Sequence, residues 1–198
     1  MMLEKLHTIF NSDSVKICEK NKLYGFEINL IKPVSKDFQL IVTSGLANYL
    51  QPVNENFERF KHIELYMCLP EYWDLNQIKW PIEWLNKIAC VPQKNKTWFG
   101  PGDTIPAGNP PQFIDEKLKA DYFILSEPIL LEDELGLEKW TDTGVHWLAV
   151  IPIFKKEFDF KTQNSATKLF EKFALKNVAE LVDIYRAPVG RKKFMGLF

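Results

Sequence analysis

The stretch TWFGPGDTIP (97–106) gathers an aromatic pair, two glycines, an acid and two threonines, and the histidines His7, His62 and His146 are scattered through the rest of the chain. These residues have the means for three kinds of chemistry: anion binding by a glycine-rich loop, acid–base work by Asp103, His62 or His146, and metal ligation. Each kind needs a spacing. A phosphate loop needs a lysine after its glycines, and a dinucleotide fingerprint needs GxGxxG between a strand and a helix. GPGD supplies neither, and Pro101 removes one N–H that an anion cradle would use. The stretch therefore reads as a rigid tight loop in which Trp98, Gly100, Gly102, Asp103 and Thr104 serve structure or partner contact. At least one of Gly100 and Gly102 is expected at positive φ, with Asp103 in an Asx-type turn closed by its own side chain.

The histidines show no HxH or HxxxH spacing, so no metal site is read from them. His62 and Glu64 stand two apart in a strand-like stretch, which puts them on one face as an acid–base pair or as surface neighbours. No GxSxG elbow is present. Cys18, Cys68 and Cys90 are odd in number, widely spaced and free of any CxxC, which argues against a disulfide framework and a cysteine zinc site and points to a reducing compartment, the cytoplasm. No cofactor is implied. An enzyme working through Asp103, His62 or His146 is carried as the alternative to a binding protein.

Charge excludes further classes. With 25 basic and 26 acidic side chains the formal net charge is −1, so no global field draws the chain to nucleic acid or to an anionic membrane. Trp80, Trp84, Trp98, Trp140 and Trp147 lack the basic stripe of a base-stacking platform and read as core. GRKK (190–193) reads as a short solvated basic tail. EPILLEDELGLEKW (127–140) is either a solvated connection or, through Glu132, Asp133 and Glu134 beside exposed-looking leucines, a contact for a basic protein partner. No apolar run approaches the roughly 20 residues of a membrane span, and MMLEKLHTIF lacks the apolar core of a secretion signal. Oligomeric state is left open.

The elements that must position these residues follow from periodicity. Residues 1–10 place apolar side chains at helical steps. YGFEINLIK (24–32) alternates as a half-buried strand, FQLIVT (38–43) and HIELYMCL (62–69) are rich in β-formers, ADYFILSEP (120–128) is a strand stopped near Pro128, and VHWLAVIPI (145–153) reads as a central strand covered on both faces. WPIEWLNKIACV (80–91) is a helix with Pro81 in its first turn, and Ala166, Leu169, Phe170 and Phe173 mark another, capped by Asn164 or Ser165. No repeat or Gly/Ser linker divides the chain. The expectation is one domain over 1–198, α+β in class, with a mixed, mainly antiparallel sheet packed with helices.

With TSGL at 43–46, HIELYMCLP at 62–70, WPIEWLNKIA at 80–89, NKTWFGPGDTIP at 95–106 and VHWLAVIPI at 145–153, in this order, the chain resembles the Suppressor of fused domain family over roughly residues 20–190. The family often carries a histidine before the loop threonine, where this chain has Asp103, so any role of that imidazole does not transfer. The resemblance implies a mixed α/β sandwich (core about 20–190) acting as a non-enzymatic protein-binding module. In animals the family restrains a transcription factor by clasping a short peptide as an added strand between this domain and a second one, for which this chain ends too early. Compact bacterial relatives resemble immunity proteins of polymorphic toxin systems, making a toxin domain the expected partner.

Overall fold

All eight residues of His146–Ile153 are buried, so this strand must be covered on both sides, and the fold is built around it. The computed structural model describes residues 2–34 and 36–190. It contains a seven-stranded sheet: β1 (Ser12–Asn21), β2 (Phe26–Pro33), β3 (Phe38–Ser44), β4 (Ile63–Pro70), β5 (Thr104–Pro106), β6 (Tyr122–Ser126) and β7 (His146–Ile153), in the order β1-β2-β3-β4-β7-β6-β5. Every pairing is antiparallel except β4 with β7, which run parallel. The architecture is thus mixed and mainly antiparallel, with helices on its faces.

Alternation along the strands sorts side chains into two cores. Ile63, Leu65, Met67 and Leu69 of β4 and Leu148 and Val150 of β7 meet Trp80, Leu85, Ile88 and Ala89 of helix α2 (Trp80–Asn95). Tyr66, Cys68, Trp147, Ala149 and Ile151 point the other way, to Leu6 and Phe10 of helix α1 (Met2–Phe10), to the short α3 (Glu132–Leu135), and to Leu169 and Phe173 of α5 (Ala166–Ala174). A further helix, α4 (Lys155–Gln163), follows β7 directly. Ser165, not Asn164, caps α5, its hydroxyl accepting from the Lys168 N–H at 3.2 Å.

Several elements depart from the sequence expectation. β1 was not expected, because SDSVKICEKN is polar; it is an edge strand with irregular register, where few side chains need an apolar face. The 127–140 stretch is not a plain solvated connection: it folds into α3 and a 3-10 turn, and Leu131 and Leu135 are buried, leaving Leu130 and Leu137 exposed. Trp73, Trp80, Trp140 and Trp147 are buried in the two cores, with Trp84 and Trp98 packed partly buried against the first.

The β4–β7 ladder runs only from Ile63 and His146 to Tyr66 and Ala149. Beyond it the segment after α5 comes in beside β4: Leu181 bridges Cys68, and the Val182 N–H donates to the Cys68 carbonyl at 2.9 Å. From Glu180 to Arg186, buried or half-buried residues alternate with exposed ones, the pattern of a strand with one wet face. Two buried carboxylates, Glu180 and Glu157, fix this segment, the second by pairing with Arg186. Glu180 accepts from the Tyr66 hydroxyl at 3.1 Å and the Leu130 N–H at 2.9 Å, and also from the Ile129 N–H. Burial first, and then the Glu180 charge, hold the Tyr66 phenol well above its usual pKa. Residues 191–193 of GRKK lie outside the described residues.

Candidate functional site

Three of the stretches singled out in the sequence converge on the connection between β3 and β4. The carboxylate of Glu64 turns away from His62 and caps the backbone after β3, accepting from the Gly45 N–H (2.9 Å), the Ala47 N–H (3.1 Å) and the Thr43 hydroxyl (2.5 Å). His62 bonds the Ala47 carbonyl through Nδ1 at 2.8 Å. His62 and Glu64 are therefore neither an acid–base pair nor surface neighbours: a fully buried acid finds more donors in a tight turn than on a neighbouring imidazole. Burial pushes the Glu64 pKa up to about 7, against the pull of those donors.

Residues 97–104 are attached to the same connection by Gln51. Its amide carbonyl accepts from the Phe99 N–H at 2.9 Å, and its amide N–H groups donate to the carbonyls of Phe60 (2.6 Å) and Phe99 (3.1 Å). The Trp98 ring packs on Phe57, with centroids 4.9 Å apart. Nothing in the local sequence signals Gln51; a polar side chain in a polar loop gains meaning only when the loop closes over it.

Within the loop the Asp103 carboxylate accepts from the Gly100 N–H at 2.8 Å, reaching back three residues and so closing the turn from its far end, where an Asx-type turn would have reached forward. Burial raises its pKa, opposed by that hydrogen bond. Thr104 begins β5, opposite Ile124. Gly102 takes φ +87°, and a Cβ there would lie 2.7 Å from the Ala166 Cβ; Gly100 lies under the Trp98 ring, where a Cβ would come within 2.7 Å of Cζ3. Gly102→Ala should therefore destabilise the fold by more than about 1 kcal/mol, through both backbone strain and contact with α5. Gly100→Ala, without the φ penalty, should instead displace the indole and change its fluorescence. Urea titrations followed by tryptophan emission separate the two; equal midpoints for Gly102→Ala and the parent chain would refute the first.

His146 is buried, with Nε2 3.3 Å from a Glu127 oxygen that also lies 3.3 Å from Arg59, and its ring meets Phe60 edge-on at 4.7 Å. The hydrogen bond from His146, more than the Arg59 charge, lowers the Glu127 pKa. Asp103, His62 and His146 thus go to three different partners, Gly100, Ala47 and Glu127, and no side-chain hydrogen bond joins any two of them among the described residues. No cluster of three or more histidine, cysteine or acidic residues able to hold a metal ion occurs among the described residues. Glu132 and Asp133 are exposed on α3, whereas Glu134 is half-buried and paired with Lys36 at 3.2 Å. No helix among the described residues is long and apolar enough to cross a membrane.

Compared with known proteins, residues 22–187 match the family model described as Suppressor of fused protein (SUFU). A chain of "the Sufu-Fu complex crystal structure" superposes with TM-score 0.61 at 10% identity, over 95% of this chain and 90% of that one. Drosophila Suppressor of Fused superposes with TM-score 0.60 at 11% identity, again over 95% of this chain, which spans 50% of that one. Such identities show likeness of fold. A search of curated proteins returns no match.

Proposed function

Because the chain belongs to the Suppressor of fused family, whose model covers residues 22–187, we propose that it works by occupying a protein partner and not by turnover. One observation carries this reading: Glu64, His62 and Asp103 are committed to the chain's own backbone, at Gly45 and Ala47, at Ala47 and at Gly100, while His146 pairs with Glu127 apart from them. A structural neighbour is a complex of Sufu with Fu, which supports protein binding as the mode of action. We take residues 1–198 as one cytoplasmic domain of the compact type and its specific role as that of an immunity protein, which neutralises a toxin by direct binding.

Co-expression with the toxin encoded beside its gene should protect cells, and protection should follow complex formation at near-equal stoichiometry. Charge reversal at Glu132 and Asp133, whose side chains are exposed, should weaken that complex and flatten its salt dependence if the toxin is basic there. Protection at strongly substoichiometric amounts, lost on changing Asp103, His62 or His146 in a stably folded variant, would establish the enzyme reading instead.

A further inference from the structure

Where β3 begins and β4 ends, an open depression of about 480 Å³ is walled by Asp37, Tyr72, Leu130, Leu181, Asp183 and Ile184, among others. Tyr72 (78% exposed), Leu130 (47%) and Leu181 (39%) leave apolar surface in water around this one opening. Scattered exposed hydrophobics are ordinary on a protein surface, but several around one concavity mark a contact site. The wall carries two carboxylates and no cationic side chain, although the chain as a whole is balanced to −1. Asp183 spends one oxygen on the Tyr185 N–H at 2.8 Å, and no described cation forms an ion pair with Asp37 or Asp183.

We propose that this depression is the docking surface for the protein partner and that it takes an arginine side chain flanked by apolar residues. The guanidinium suits the place for three reasons. It is planar and can lie against the exposed Tyr72 ring, it presents several donors to a wall that carries Asp37 and Asp183, and it is more weakly hydrated than an ammonium group, so it gives up less on entering an apolar rim. Aliphatic neighbours of that arginine would cover Leu130 and Leu181, giving the anchored, apolar-rimmed contact in which interfaces concentrate their affinity. The wall is held by the Glu180 bonds to Tyr66 and Leu130, which set the Ala179–Ile184 segment against β4. The surface is thus preformed, and little ordering is left for the partner to bring about.

The inference rests on the protein-binding reading above, and its test is separate from that of the reading. The full chain, labelled with ¹⁵N, is titrated with the blocked peptide Leu-Arg-Leu-Arg-Leu and with its counterpart bearing glutamate for arginine. The expected result is amide shifts centred on Tyr72, Leu181 and Asp183 with the arginine peptide alone. Affinity should fall about tenfold in the Asp37→Asn/Asp183→Asn double variant, which keeps an acceptor for the Tyr185 N–H, and comparably in Tyr72→Ala. Shifts centred elsewhere, or equal binding of the glutamate peptide, would overturn the inference. A neighbouring toxin that binds with undiminished affinity to these variants would also overturn the surface while leaving the binding function standing; a toxin that does not bind the native chain at all counts against the immunity reading.

Discussion

Arg186→Ala lowers the unfolding free energy by about 3–5 kcal/mol, the usual cost of leaving a buried charge without its partner. The abandoned partner is Glu157, 0% exposed, whose oxygens accept from Arg186 Nη1 at 2.7 Å and Nη2 at 2.9 Å. The same carboxylate caps the start of α4 by accepting from the Phe154 N–H at 3.0 Å, and it holds Val189 through its N–H at 2.8 Å. The guanidinium also donates to the Pro152 carbonyl at 2.8 Å and lies against the rings of Phe154 and Phe173. Loss of Arg186 therefore leaves an uncompensated carboxylate and frees the segment after α5 from β7. Equilibrium denaturation of Arg186→Ala, Glu157→Gln and the double variant forms a cycle. Strong non-additivity is expected, with the double variant more stable than the sum of the single losses allows. A single-variant loss below about 1 kcal/mol, the range of an exposed pair, would refute the assignment.

The second large effect is a pH-dependent one at Glu64. Its folded pKa, about 7, lies above the ordinary 4.5 because burial penalises the charged form. The folded chain therefore binds the proton more tightly than the unfolded one. Stability from this group is complete below the unfolded pKa and is lost as pH rises from about 4.5 to about 7, amounting to about 3 kcal/mol at one pH unit per 1.36 kcal/mol. The network accommodates the acid form: a proton on Glu64 can be donated to the Thr43 hydroxyl oxygen, and that hydroxyl then turns to the Leu65 carbonyl 3.3 Å away. Glu64→Gln keeps the acceptor for Gly45 and Ala47 and supplies the donor permanently. It should match the parent chain at pH 4 and exceed it by up to about 3 kcal/mol at pH 8. Glu64→Ala orphans the turn's N–H groups and should destabilise at every pH, by about 1–3 kcal/mol for each group left buried without a partner. Parallel stability–pH curves for Glu64→Gln and the parent would refute the mechanism.

The sequence by itself determined the elements whose side chains repeat. The period of two in 24–32, the β-formers of 38–43, the near-continuous apolar run of 145–153 and the three- and four-residue steps of 80–91 and 166–173 are each local signals, and each became the strand or helix it implied. The positive φ at Gly102 in the 97–106 loop was legible for the same reason, since glycine frees its own φ. Only the tertiary structure decided which polar groups are spent and where. Glu64 reads like a surface acid because its donors lie 17 to 21 residues upstream. Glu157 and Arg186 are 29 residues apart, and Tyr66 and Glu180 are 114 apart. A buried charge is tolerated only with partners that satisfy it, and those partners come from elements that meet after the sheet has formed. Periodicity reports the face an element buries; it carries no information on what lies across that face. The polar edge strand β1, the Gln51 clamp and the depression around Tyr72 have the same cause, because each is defined by surfaces that distant stretches of chain bring together.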